Sequence, residues 1–283
     1  RNLDMKKIDT PLTVEGKGQK NTQSRRGKMF GYQVLGFGSG GGSTPGIVAN
    51  GGTITYDGDY AINLFAASGN LVVEKLGDAG DNQVEYVVAA GGGNGSHGGS
   101  LGGGGAGGYR ANGAYNMTIA VQSYPVVVGS GTNSPGGAGA TSSFNSINTS
   151  GGGGTGQNGG SGGGAGGSGN AGGYSPPEGN PGGSTMGGPF SGGGGGGGSG
   201  GNGQNGGGYA AGPGGPGTVN DITGTNYTYS AGGVGESSNP SGWGPIGPSV
   251  QTIYGNGAPS SRGGPCTSAD GVVIVRYRSL STA

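Results

Sequence analysis

Reactive and charged side chains are scarce in this 283-residue chain. It has one cysteine, Cys266, and one histidine, His97. A single cysteine excludes an internal disulfide framework and any multi-cysteine metal site. A single histidine set among glycines leaves Ser-His-Asp triads and His-rich metal centres without support. Charged residues make up 9% of the chain and balance to a formal net charge of zero. Nothing there marks nucleic acid or a broadly acidic surface as a partner. No apolar run reaches the roughly 18 residues of a membrane span. No hydrophobic stretch of the signal-peptide kind follows the N-terminal basic residues, so a location outside a cell would be reached another way, for instance as part of a particle. No carboxylate pair, activated nucleophile or Gly-Lys-Ser/Thr phosphate loop is present. The many Gly-x-Gly-x-x-Gly matches carry no weight without the alternating helices of a dinucleotide fold. Asp78, Asp81, Asn82 and Glu85 have the oxygen chemistry of a calcium site, but turn chemistry explains them more simply. His97 is expected at the face of a glycine block, and Cys266 as an inert thiol. The chain reads as a non-enzyme with no cofactor and no metal.

What the chain does have is glycine, 83 residues of it. More than half of residues 151–217 are glycine, with an unbroken run from Gly192 to Gly198 and Glu178 as the only charge. Ordering such a segment costs more backbone entropy than ordering any other composition. It has almost no apolar side chain to bury, and glycine is disfavoured inside helices and strands. Collagen needs glycine at every third position beside a Pro-rich pattern, which is absent. The remaining regular conformation is the extended three-residue helix of polyproline II type. Its amides point outward, so rods of it are expected to pack side by side and bond to one another, because buried amides must find partners. A seven-residue rod spans about 22 Å.

Taken in order, residues 1–50 read as a basic arm and hinge, with a short strand at Tyr32-Gln-Val-Leu-Gly-Phe-Gly. Lys17, Lys20, Arg25, Arg26 and Lys28 are its candidate anchoring residues, docking on a larger assembly. Residues 51–283 read as one glycine-rich domain. A hairpin spans Thr53 to Phe65 around Asp57-Gly58, with Tyr60, Ile62 and Leu64 on one face. Strands follow at Leu71 to Leu76 and at Val84 to Ala90, the latter expected to be central, and the whole reads as a β-meander. After a first glycine block (91–108), Tyr115, Met117, Ile119 and Val121 alternate with polar residues. Tyr124 to Val128 is expected to pair with that strand, and Ala140 to Phe144 to add a short one. Gly271-Val-Val-Ile-Val-Arg-Tyr277 is expected to close the sheet system begun at Gly51, which makes the glycine blocks insertions within one domain.

The run Val84-Glu-Tyr-Val-Val-Ala-Ala-Gly-Gly-Gly, the Gly-Gly-Ala-Gly-Gly-Tyr-Arg at 104–110 and the closing strand at 271–277 form a set. Together they resemble the glycine-rich domain of bacteriophage tail-fibre and other virion proteins, over roughly residues 51–277. A similar arrangement of strands and packed glycine helices occurs in anaplastic lymphoma kinase-type receptors and in the tip adhesins of T-even-type phages. The resemblance implies a rigid glycine lattice whose connecting loops bind a bacterial surface receptor. It transfers architecture and no individual contact residue. This chain departs from the tip adhesins in its long strand region and its basic arm.

The expected fold is therefore all-β, a jelly-roll-like β-sandwich with inserted polyglycine II helices packed as a lattice. The expected function is that of a virion surface protein, a tail-fibre or adhesin subunit made in the host cytoplasm and attaching to a host surface. A structural capsid-decoration or fibre-forming role without a receptor is the alternative. The expected partners are other virion proteins through the arm, a bacterial protein or glycan receptor, and further copies of the chain, with a trimer as the expected oligomer. By position, the receptor-binding candidates are Tyr174, Pro176 and Phe190 in one loop and Trp243 and Tyr254 in another. Aromatic side chains on rigid loops give contact area at low entropic cost. The same residues read equally well as caps on the lattice or packing on the sandwich.

Overall fold

A computed structural model describes residues 46–78, 81–97, 102–187, 191–237, 254–261 and 266–279. Twelve strands and no helix occur among the described residues. β1 (Val48–Asn50), β2 (Thr53–Asp57) and β3 (Tyr60–Phe65) are followed by β4 (Gly69–Lys75) and β5 (Gln83–Ala89). β6 (Tyr109–Thr118), β7 (Ser123–Val127), β8 (Ser142–Phe144) and β9 (Ile147–Thr149) come after the first glycine block. β10 (Thr218–Asn220), β11 (Tyr227–Tyr229) and β12 (Val272–Arg278) come after the long one.

Two five-stranded antiparallel sheets, in the orders β1-β4-β7-β8-β9 and β2-β3-β12-β5-β6, form a sandwich. Alternation in β4 and β7 turns Leu71, Val73, Tyr124 and Val126 inward, where they join Phe144. Ala61, Phe65, Val84, Tyr86, Val88, Val273, Val275 and Tyr277 meet them from the opposite sheet. Each large apolar side chain so buried contributes roughly 1.5–3 kcal/mol. A polar pair in this core is satisfied: Tyr277 Oη donates to Asn63 Oδ1 at 2.8 Å, and Asn63 Nδ2 donates to the Gly51 carbonyl at 2.7 Å. The second sheet is apolar on both faces. Its outer side carries Ile62, Val87, Val272 and Ile274 under Ile222 and Tyr229 of the β10–β11 hairpin, with Leu64 packed alongside Ile62 as the alternation implied.

Several pairings differ from the sequence reading. β12 is the middle strand of its sheet, flanked by β3 and β5, and β5, expected to be central, is an inner strand between β12 and β6. β3 and β4 are consecutive yet lie in different sheets, as do β4 and β5, so the strands cross between layers and do not meander. β7 pairs with β4 and β8, and β6 pairs with β5. Val48–Asn50, assigned to the hinge, is an edge strand on β4. The anchoring candidates Lys17, Lys20, Arg25, Arg26 and Lys28 and the strand at Tyr32 lie outside the described residues.

The glycine segments are ordered by one another. N–H groups of Gly103, Gly104 and Gly105 donate to the carbonyls of Gly194, Ala258 and Gly153 at 3.0, 2.8 and 2.8 Å. Those of Ala106, Gly107 and Gly108 donate to Gly197, Gly255 and Ser150 at 3.0, 2.8 and 2.8 Å. The partner segment changes at each residue and returns at the third, which is the signature of a three-residue helix. The carbonyls of Gly103, Gly104 and Gly105 accept from Gly164, Gly233 and Gly93. Rod 102–108 thus has six neighbours. These also bond to one another around the ring, through Gly196 to Gly233, Gly257 to Ala231, Ala258 to Gly93, Gly152 to Gly91, Gly153 to Ser161 and Gly197 to Gly162.

Rod 192–198 is enclosed in the same way. It donates to Gly207, Gln204 and Gly201 on one side and to Glu236 and Gly233 on another. It accepts from Met186, Gly183 and Asn180, from Gly212 and Gly215, and from Gly103 and Ala106. The two enclosed rods run parallel and adjacent. A Cβ on Gly103, Gly104, Gly105, Gly194, Gly195, Gly196 or Gly197 would fall inside 3.0 Å of a backbone atom of a neighbouring rod. Close approach, and not turning, is what requires glycine here.

Rods continue directly into strands: 102–108 into β6, 211–217 into β10 and 266–271 into β12, with β5, β9 and β11 leading out into others. One end of the lattice is therefore built on the sandwich. Among the described residues, the other end carries turns.

Candidate binding surface

The turns at the free end follow from the directions of the rods. Gly103 and Gly194 lie toward that end and Gly108 and Gly198 toward the sandwich, since Gly108 leads into β6 and Ser150 follows β9. The described free-end turns include Ser96-His97, 155–157, 165–166, 184–187 and 207–211. Gly156 and Gly166 turn with φ of 70° and 85°, and Ala165 shares that left-handed region at 75°. Ala165 is held there by its N–H to the Gly183 carbonyl at 2.8 Å.

Among the described residues of this end, two large hydrophobic side chains are exposed, Met186 at 52% and Tyr209 at 54%. The backbone beneath both is fixed at one point, the start of rod 192–198. Met186 N–H donates to the Gly192 carbonyl at 3.2 Å, and Gly192 N–H donates to the Gly207 carbonyl at 2.9 Å. Gly207 N–H then closes the Tyr209 turn on the Ala210 carbonyl at 2.8 Å, while Ser237 Oγ donates to the Tyr209 carbonyl. The Met186 thioether and the Tyr209 ring are thus exposed on pinned backbone, an arrangement suited to contact by apolar area.

Those of the candidates from sequence that are described, Tyr174, Pro176 and Tyr254, fall elsewhere. Tyr174 and Pro176 occupy a loop at the sandwich end, separated from Met186 by the length of rod 180–186. Tyr174 is half-buried with the Arg110 guanidinium 4.2 Å from its ring centroid, and Pro176 is exposed. Arg110 also donates to the Asn148 carbonyl at 3.3 Å, so this loop is tied to β6, the first strand after the first glycine block, and to β9, the last strand before the long one. Tyr254 is half-buried against the hairpin cluster, its carbonyl accepting the Ser230 N–H at 3.1 Å. Phe190 and Trp243 lie outside the described residues. Tyr209 went unnoticed in the sequence, yet it is the one aromatic residue in 191–217. A lone large side chain interrupting glycine runs was the available signal.

Burial pushes the Cys266 thiol up, against the nearby Ser261 hydrogen bond that lowers it, which disfavours the thiolate. His97 is exposed. Asp81 N–H donates to the Asp78 carbonyl at 2.8 Å in a turn. No group of three metal-ligating side chains occurs among the described residues. Asp57 lies 3.3 Å from Arg276, which is 4.0 Å from Glu85 and stacks over Tyr60 at 4.3 Å. No family model matches the chain, and no curated protein matches it by sequence.

Proposed function

We propose that this is a non-enzymatic virion surface protein, a phage tail-fibre or adhesin subunit that presents the free-end turns for attachment to a bacterial surface. The basic arm anchors it to other virion proteins, and the working assembly is a homo-oligomer, with three copies the favoured number. The observation that carries the reading is the pairing of Met186 and Tyr209, both exposed, with a backbone pinned to an enclosed rod. Preorganised turns lose little conformational entropy on binding, so a small contact can hold.

Adsorption of the full-length protein to intact host cells tests it. Tyr209→Ala and Met186→Ala are each expected to weaken adsorption about tenfold, the effect of losing a contact worth roughly 1.4 kcal/mol, with the melting temperature unchanged. Adsorption equal to wild type in the double variant would leave the structural decoration role in its place. Amide hydrogen exchange checks the scaffold separately. Residues 103–108 and 192–198 are expected to exchange only through global unfolding, and exposed free-end turns such as Gly187 far sooner. Exchange of the enclosed rods at the rate of an unstructured chain would remove the rigidity on which the reading depends.

A further inference from the structure

A lattice of glycine rods has an edge problem like that of a β-sheet. Interior rods spend their amides on six neighbours, whereas a peripheral rod presents an outward row of N–H and C=O groups that a rod from another molecule fits. We infer that the chain closes these rows itself, with proline and asparagine at outward positions, so that the lattice is barred from growing sideways by adding a second copy.

Rod 211–217 shows the device. Its inward N–H groups, Gly212 and Gly215, donate to Gly193 and Gly196 of the enclosed rod at 2.8 Å each. The residues following them, Pro213 and Pro216, are exposed and lie three apart on one row. Their carbonyls still serve the lattice, accepting from Gln204 at 3.0 Å and Gly200 at 2.9 Å, but they bring no N–H to the outside. On rod 180–186, Pro181 is likewise exposed, and its carbonyl accepts from Gly203 at 3.0 Å. Three residues on, the Ser184 N–H is taken at 2.8 Å by the side chain of Asn205. Asn158 Oδ1 takes the Ser168 N–H at 2.8 Å, and Asn256 Oδ1 takes that of Ala231 at 3.0 Å. In each case an amide side chain stands where a further rod would bond. The enclosed rods 102–108 and 192–198 contain neither residue. Proline thus sits where its missing donor faces solvent, and asparagine where a donor needs covering.

The test is sedimentation of the full chain carrying Pro213→Gly and Pro216→Gly, which restores two outward donors and removes the bulk over them. The weight-average mass is expected to climb with concentration to at least double that of the wild-type assembly, while hydrogen exchange at 192–198 stays slow. A mass equal to wild type at every concentration overturns the inference. Should the proline variant fail to fold, Asn205→Gly decides on the same criterion, because it uncovers the Ser184 N–H without touching an enclosed rod. This outcome is independent of whether Tyr209 contacts a receptor.

Discussion

Gly196→Ala is expected to lower stability by about 3 kcal/mol, the upper part of the range for overpacking a core. That corresponds to a fall of very roughly 10 °C in Tm for a domain of this size. Two effects oppose each other. Alanine restricts the unfolded chain and on that account alone would stabilise by about 0.4–1 kcal/mol. Against it, the new methyl group lands on the carbonyl of Gly104 and the amide of Gly105, inside 3.0 Å of backbone atoms. In an ordinary core a side chain would swing aside. Here the neighbour is another rod, whose amides are committed to the segments at 258, 153 and 93, so a shift breaks hydrogen bonds in several rods at once. Packing therefore outweighs chain entropy. Gly207→Ala is the control: a Cβ there meets only ordinary contacts of 3.8 and 4.0 Å with Ala210. It is expected to leave stability unchanged or raise it slightly. Chemical denaturation of both variants checks the sign of each, and equal midpoints would mean that the rods are not close-packed.

The contrast between these glycines also marks how far sequence reasoning reaches. That rods exist follows from elimination, since seven glycines in a row support no helix, strand or apolar core. Which rods touch does not follow, because a residue without a side chain encodes no partner. Strand faces were legible from alternation, as in Leu71 and Val73 of β4. Strand neighbours were not, because the same alternation is satisfied whether β4 lies beside β3 or across the core from it. The grouping of candidate residues meets the same limit. Tyr174 and Pro176 are grouped from sequence with a residue as far on as 190 in one loop, but rod 180–186 carries the chain from the sandwich end to Met186 at the free end.

Glu178→Ala is expected to be the most damaging change that touches no glycine, with a loss of about 2–4 kcal/mol from two stranded donors and the space left behind. Glu178 is the single charge in residues 151–217, and it is fully buried. Its Oε2 accepts the Ser150 N–H at 2.8 Å and its Oε1 the Gly172 N–H at 2.9 Å. Its own carbonyl accepts the Tyr109 N–H at 2.8 Å. One residue therefore joins the segment leaving β9, the turn entering rod 180–186 and the first residue of β6. A buried carboxylate is costly unless hydrogen bonds replace its water, and backbone donors at both oxygens do so. Removing it leaves the Ser150 amide without its acceptor where the lattice meets the sandwich. Glu178→Gln separates hydrogen bonding from shape. The amide fills the same volume, but its NH₂ must face one of two N–H donors. Gln is thus expected to lose nearly as much as Ala, although it is almost isosteric. A glutamine variant as stable as wild type in urea would show that volume, and not acceptance at both oxygens, is what this position supplies.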